Sequence, residues 1–242
     1  MKKKNINSHL LEREVSSMGI NMSVHQTEQF DRYYDLLFEW NKVMNLTAIT
    51  ERREVEIKHF IDSLTIMRIM DMSKVGTMID VGTGAGFPGI PIKIIFPHIK
   101  VVLLDSLNKR INFLNEVTEQ LDLKEIITVH GRAEDYARKN EYREQFDLCV
   151  SRAVANLSTL SEYSLPFVKK GGNFISYKGS DADDEIRQSE RAVDILGGRI
   201  RHIEKFMLSG TDMGRVLVDI IKEKNTPDKY PRKAGVPSKE PI

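Results

Sequence analysis

A chain of 242 residues, 40% of them hydrophobic, is long enough to bury a full core as one domain with an appendage, and no second domain is forced. Its 36 basic and 35 acidic side chains leave a net charge of +1, which excludes a global polycation, so any nucleic-acid contact must be local. The single cysteine, Cys149, lies in the apolar run Phe146-Asp147-Leu148-Cys149-Val150, which excludes an internal disulfide and reads as a small core residue.

The basic start Met1-Lys2-Lys3-Lys4 runs into Leu10-Leu11-Glu12-Arg13-Glu14 and not into an apolar stretch, and no run approaches bilayer-spanning length. The expectation is a cytoplasmic protein. Residues 1 to about 72 read as a helical extension. Ser23-Val24-His25-Gln26 is a capping box, after which Phe30, Tyr33, Tyr34, Leu37 and Met44 recur on one helical face. A second helix is expected from Glu51 to Met70, capped by Thr50, with Val55, Phe60, Leu64 and Met67 turned inward. After Ser73 the period changes. Strands at about 77–81, 101–105, 126–130, 146–151 and 172–177 alternate with helices near 89–96, 108–121, 133–139, 156–169 and 181–196. Such alternation predicts a parallel sheet with helices on both faces. Two last strands, about 199–208 and 215–223, are joined by the short turn Ser209 to Gly214 and should pair antiparallel, closing a domain over residues 73–225. Residues 226–242 carry Pro227, Pro231, Pro237 and Pro241 with more cations than acids, which predicts a basic, extended tail.

The chemistry concentrates at Met78 to Gly89, where an apolar strand ends in Asp80 and breaks into a turn containing Gly82, Gly84 and Gly86. Glycines let a backbone bend through positive φ and let a ligand lie on main-chain N–H groups. The next strand, Val101 to Asp105, also ends in an acid, placed to accept hydrogen bonds from the two hydroxyls of a ribose. The expected ligand is a nucleoside-containing cofactor, the structural alternative being that a tight strand-to-helix turn needs glycine without any ligand. Gly84, Gly86 and Gly89 match the dinucleotide fingerprint G-x-G-x-x-G, in which a helix N-terminus faces a pyrophosphate. Asp80, Gly82, Gly84 and Gly86 match the D-x-G-x-G-x-G pattern of S-adenosylmethionine sites. An acid beside the ligand would repel a pyrophosphate and attract a sulfonium and an ammonium, which favours S-adenosylmethionine.

Motifs spread along most of the chain carry a family resemblance: Trp40-Asn41-Lys42 with Asn45-Leu46-Thr47, His59-Phe60 with Asp62-Ser63-Leu64, Asp80 to Pro91, Asp105 to Arg110, Gly131 to Asp135, Ser151-Arg152-Ala153, and Tyr230-Pro231-Arg232-Lys233 to Pro241. In this ordered set the chain resembles the glucose-inhibited division protein B family, bacterial methyltransferases acting on nitrogen 7 of a guanine in small-subunit ribosomal RNA. The resemblance implies a class I S-adenosylmethionine-dependent methyltransferase fold of the α/β, Rossmann-like kind, a seven-stranded mostly parallel sheet with the last strand pair antiparallel, plus an N-terminal helical extension. It also implies S-adenosylmethionine as cofactor, 16S ribosomal RNA or a ribosomal particle as partner, and cofactor contacts at Gly82, Phe87, Ala133, Glu134 and Arg152. A monomer without metal is expected.

Each of these positions has a structural alternative. Phe87 reads equally as an apolar wall for the cofactor or as core packing. Ala133 and Glu134 follow the third strand, where an amide and a carboxylate can read an adenine edge, although Glu134 would also suit the start of a helix. Arg152 follows the fourth strand, where its planar donors suit a guanine edge, a phosphate or a cofactor carboxylate, with a salt bridge as the alternative. Asp80 and Asn156 are further pocket candidates. Nitrogen 7 of guanine bears a lone pair and no proton, so direct methyl transfer needs no general base, and Arg152 is the one residue expected to act at the reacting groups. His59 reads as structural. RNA contact is expected from Lys109, Arg110, Arg132 and Lys178 on the carboxyl rim of the sheet and from Arg232 and Lys233 in the tail. An NAD-dependent oxidoreductase and a non-catalytic RNA-binding protein are the competing functions.

Overall fold

The computed structural model describes residues 9–152 and 155–242. The basic start Met1-Lys2-Lys3-Lys4 and Ala153 of the Ser151-Arg152-Ala153 motif lie outside them. The first helices are α1 (His9–Ser17) and α2 (Val24–Met44). The Ser23 hydroxyl accepts from the Gln26 amide while the Gln26 side chain accepts from the Ser23 amide, so the capping box forms. The expected helix from Glu51 to Met70 is broken into shorter pieces: α3 (Arg52–Val55), a π-helical turn Glu56–Ile61, α4 (Asp62–Leu64) and a 3₁₀ turn Thr65–Arg68. Its cap is Glu51, whose carboxylate accepts from the Glu54 amide, and not Thr50.

The sheet contains β1 (Thr77–Val81), β2 (Lys100–Asp105), β3 (Ile126–His130), β4 (Phe146–Arg152), β5 (Val168–Gly179), β6 (Gly198–Met207) and β7 (Gly214–Lys222) in the order β3-β2-β1-β4-β5-β7-β6. Strands β1 to β5 run parallel. β7 inserts antiparallel between β5 and β6. The connecting helices are α5 (Gly89–Ile95), α6 (Asn108–Gln120), α7 (Ala133–Tyr136), α8 (Leu157–Ser164) and α9 (Asp183–Ile195), with α10 (Val236–Lys239) in the tail.

Alternation along the strands divides the core between the two faces of the sheet. Met78, Val101, Leu103, Leu148, Val150 and Ile175 pack with Leu11, Phe30, Tyr33, Phe60 and Leu64, so the N-terminal helices share one hydrophobic cluster with the sheet. Ile79, Val102, Leu104, Cys149 and Phe174 face the other way, onto α8, α9 and Tyr230 of the tail. Among the described residues no helix is long and apolar enough to cross a membrane, and no group of His, Cys, Asp and Glu is placed to hold a metal ion.

Candidate functional site

The glycine turn leaves β1 at the carboxyl edge of the sheet with φ of 71° at Gly82, 62° at Gly84 and 95° at Gly86, backbone conformations that L side chains rarely adopt. A Cβ on Gly84 would meet nothing within 4 Å, so its bare face opens into the crevice. One on Gly86 would lie 2.5 Å from Ile90 Cδ1 and 2.7 Å from the Tyr33 hydroxyl. Gly86, expected to touch the cofactor, is instead required for packing beneath the turn, where Tyr33 donates to the Ala85 carbonyl.

Asp80 also lies beneath the turn. Its side chain is fully buried; Oδ2 accepts from the Thr83 hydroxyl at 2.7 Å and from the Gly89 amide at 2.8 Å. Among the described residues Oδ1 has no hydrogen-bond partner, and burial pushes the carboxyl pKa up to about 7. The expected approach of Asp80 to a sulfonium is corrected, because side chains alternate across β1 and Asp80 shares the α5 side with Met78. Asp80 instead occupies the N-terminus of α5, where its Oδ2 accepts from the Gly89 amide.

Three adjoining cavities follow the carboxyl edge. The middle one, about 440 Å³, is lined by Thr47, His59, Gly84, Phe87, Arg110 and Arg152. A pocket of about 120 Å³, lined by Gly131, Ala133, Glu134 and Tyr163, adjoins it, with Gly82 and Asp105 belonging to both. A third, about 270 Å³, lies beyond His59 and Arg152 against Ile49, Asp62, Tyr177, Met213 and Arg215. A larger cavity of about 570 Å³, beside Met18, Met67 and Phe206, is lined by none of the expected site residues.

Asp105 joins the first two cavities. Oδ1 accepts from the Leu107 amide at 2.9 Å, and Oδ2 from the Gly84 amide at 2.9 Å and Arg110 Nη1 at 3.2 Å. The carboxylate thereby ties the end of β2 to the glycine turn. Ala133 and Glu134 open α7 at the small pocket, and Glu134 Oε1 accepts from the Gly235 amide of the tail at 2.9 Å. Glu134 therefore anchors the tail as well as lining the pocket.

Arg152, at the end of β4, is engaged in the salt bridge that sequence reasoning ranked second. Nη1 donates to Asp62 Oδ2 at 2.9 Å and to the Lys58 carbonyl at 3.1 Å, and the guanidinium lies 5.1 Å from the Phe87 ring centroid. Nη2 faces His59 Nδ1 at 3.2 Å. An arginine only donates, so Nδ1 accepts, and Nε2–H donates to the Thr47 hydroxyl at 2.9 Å. Burial, and after it the charge of Arg152, lowers the His59 pKa to about 3. The ring is neutral, stacked 4.6 Å from Phe87, so Phe87 is both core and cavity wall. Sequence reasoning missed the placement of His59. The signal was in the motifs: Asn41 accepts from the Thr47 amide, Asn45 ends α2 in the left-handed conformation, and Thr47 holds His59. Arg215 was missed too; its Nε donates to Asp62 Oδ1 at 2.9 Å.

The expected RNA contacts divide. Lys109, Arg132 and Lys233 are exposed, and Arg110 is partly exposed at the crevice mouth. Lys178 is mostly buried, donating to Glu185 and to the Ala155 carbonyl, both at 2.6 Å. Arg232 grips Glu162 through Nε and Nη2, at 3.0 and 2.7 Å, where Glu162 is fully buried. Both cations are committed within the protein, Arg232 because the buried carboxylate of Glu162 requires a charged partner, and Lys178 because its own ammonium is buried and satisfied by Glu185 and a carbonyl. Asn156 is the cap of α8, accepting from the Thr159 amide, and does not line these cavities.

A family model described as GidB, rRNA small subunit methyltransferase G, matches residues 26–212. The chain belongs to this family. The protein named Ribosomal RNA small subunit methyltransferase G of Desulforamulus reducens is 52% identical over 232 residues, covering 96% of this chain and 97% of its own. That of Lachnoclostridium phytofermentans is 54% identical over 226 residues, 93% of each. Among solved structures, StiE O-MT covers 78% of this chain and 83% of its own at 14% identity, TM-score 0.57, and YcgJ of Bacillus subtilis covers 69% and 100% at 11% identity, TM-score 0.53. At such identities these two establish the fold alone, a methyltransferase-like sheet with one reversed strand.

Proposed function

We propose that this chain transfers a methyl group from S-adenosylmethionine to nitrogen 7 of a guanine in small-subunit ribosomal RNA, presented as RNA or as a ribosomal particle. Family membership supports the substrate class. The observation that carries the donor is the pairing of Asp105 with the open face of Gly84: a carboxylate for a ribose beside a backbone that a ligand can approach closely. The residues fit the group. Gly82 and Gly84 would allow close backbone approach, their own N–H groups being donated to the Leu104 carbonyl and to Asp105, Asp105 would accept from a ribose, and Ala133, Phe87 and Arg152 would line the rest of the site. When bound, S-adenosylmethionine supplies a methyl group activated by the adjoining sulfonium charge.

The protein's own groups suit a transfer without a base. His59 has both ring nitrogens engaged and is held neutral, so it is not poised to take a proton. Arg152 is fixed by Asp62 at the wall between the middle and third cavities, and the third offers Ile49 and Met213 as apolar surfaces for a base. Catalysis then rests on alignment of the two reacting atoms. The direct test is mass mapping of 16S rRNA nucleosides after incubation with the protein and S-adenosylmethionine. A new 7-methylguanosine at one position, in free RNA or in the small subunit, supports the reading, and both left unmodified overturns it. Parallel melts with S-adenosylhomocysteine and NADH separate the donor classes, since ligand at 100 times its Kd adds about 2.7 kcal/mol of apparent stability.

A further inference from the structure

Arg110 holds a position that helix stability does not explain. It lies in the first turn of the 13-residue α6, where a cation opposes the helix dipole, and no acidic residue shares that turn. What it has is Asp105. The Asp105 side chain is 2% exposed, while that of Arg110 is 37% exposed and reaches the mouth of the middle cavity. Two carboxylate oxygens offer about four lone-pair sites. Oδ2 uses two, for the Gly84 amide and Arg110 Nη1; Oδ1 uses one, for the Leu107 amide. A vicinal diol needs two. The two backbone amides are fixed by the glycine turn and the start of α6, so the donor that can leave is the arginine at the end of a long side chain.

Resting on the proposed donor and acceptor, we propose that Arg110 is a coupling residue: the cofactor ribose displaces it from Asp105, and the released guanidinium binds an RNA phosphate at the crevice mouth, beside exposed Lys109. The rim site for RNA is then completed only when the donor is in place. Cofactor and RNA bind with positive coupling, and by linkage each raises the other's affinity by the same factor.

The experiment uses the full chain, S-adenosylhomocysteine as the non-reacting ligand, and 30S subunits purified from a strain lacking the corresponding methyltransferase gene. Subunit affinity is measured with and without the ligand for wild type, Arg110→Met and Arg110→Gln. Wild type should bind subunits at least about fivefold tighter with ligand, at the low end of measured couplings. Both variants should lose that gain. Arg110→Met, with nothing to displace, should also bind S-adenosylhomocysteine several-fold tighter in the absence of subunits, whereas Arg110→Gln retains a neutral donor for Oδ2 and should gain less. Wild-type coupling that persists in both variants, or an Arg110→Met protein that binds S-adenosylhomocysteine more weakly, overturns the inference and leaves the proposed function standing. A wild-type chain that binds no S-adenosylhomocysteine overturns both.

Discussion

Arg232→Met should destabilise the fold and leave the salt dependence of RNA binding almost unchanged. Glu162 is 1% exposed at its side chain and accepts from Arg232 Nε at 3.0 and 3.1 Å, from Nη2 at 2.7 Å and from the Arg232 amide at 2.7 Å. The substitution removes the charge and every side-chain donor, leaving a buried carboxylate with one backbone amide. Breaking such a pair from one side costs about 3–5 kcal/mol. For a chain of this size each kcal/mol moves the thermal midpoint by roughly 2–4 °C, so a drop of roughly 6–20 °C is expected. Adding Glu162→Leu should recover most of the loss, because an apolar pair needs no compensation. The assay is thermal and urea denaturation of the wild type and both variants beside a salt series of RNA binding. The sequence-based expectation was the reverse, a phosphate contact whose loss flattens the log-log slope by about 0.7 for a single-stranded phosphate. Wild-type stability together with a flattened slope would refute the clasp and restore Arg232 to the RNA surface.

Asp105→Asn should weaken S-adenosylhomocysteine binding by about tenfold or more, since hydrogen bonds to a charged acceptor contribute roughly 1.5–3 kcal/mol; an unchanged calorimetric affinity would remove Asp105 from the ribose site. Single-turnover methylation should vary by less than about threefold between pH 6 and 8.5, and a tenfold rise per pH unit would demand a titrating base. His59 and Asp80 should oppose one another in the pH dependence of stability. With its pKa at about 3 in the fold against 6.5, His59 makes stability fall as pH drops from 6.5 towards 3, because only the unfolded chain takes up the proton; with its pKa at about 7 against 3.8, Asp80 makes stability rise as pH drops from 7 towards 3.8. Each effect is on the order of 4 kcal/mol, so denaturation between pH 4 and 6.5 should show His59→Gln gaining stability on acidification and Asp80→Asn losing it; wild-type slopes in both would refute the assignment.

Local signals in the chain announce the sheet and its turns. The Ser23 to Gln26 box, the glycine turn and the alternation of strands with helices each depend on neighbours within a few residues, which is the range over which propensity and periodicity act. What the sequence concealed depends on distant partners. Glu162 meets Arg232 across 70 positions, and Lys178 reads as a free cation until α9 brings Glu185 against it. The insertion of β7 between β5 and β6 is a matter of strand order, on which a hairpin-like spacing is silent. Asp80 misled for a subtler reason: its place at a strand end was evident, but whether it points into the crevice or under the turn depends on register, and one residue of alternation reverses the answer.

The proposed displacement moves no proton and asks for stillness more than for chemistry, and the polar groups around the crevice are held by fixed partners. One buried carboxylate, Asp62, accepts from both Arg152 and Arg215, so two guanidiniums are oriented by a single anchor on α4. The π-helical turn just before it places the Lys58 carbonyl and His59 Nδ1 against the same Arg152. Such turns interrupt the regular helical ladder and recur at functional sites, and here the irregularity gives Arg152 two further fixed partners. His59 in turn is held by Thr47, and Thr47 by the Asn41 side chain at the end of α2. In the proposed transfer α2, the π-helical turn and α4 would each contribute to the site, through Asn41, through Lys58 and His59, and through Asp62, as fixed dipoles or charges that need not reorganise during the reaction, the condition under which electrostatic groups contribute most to a rate.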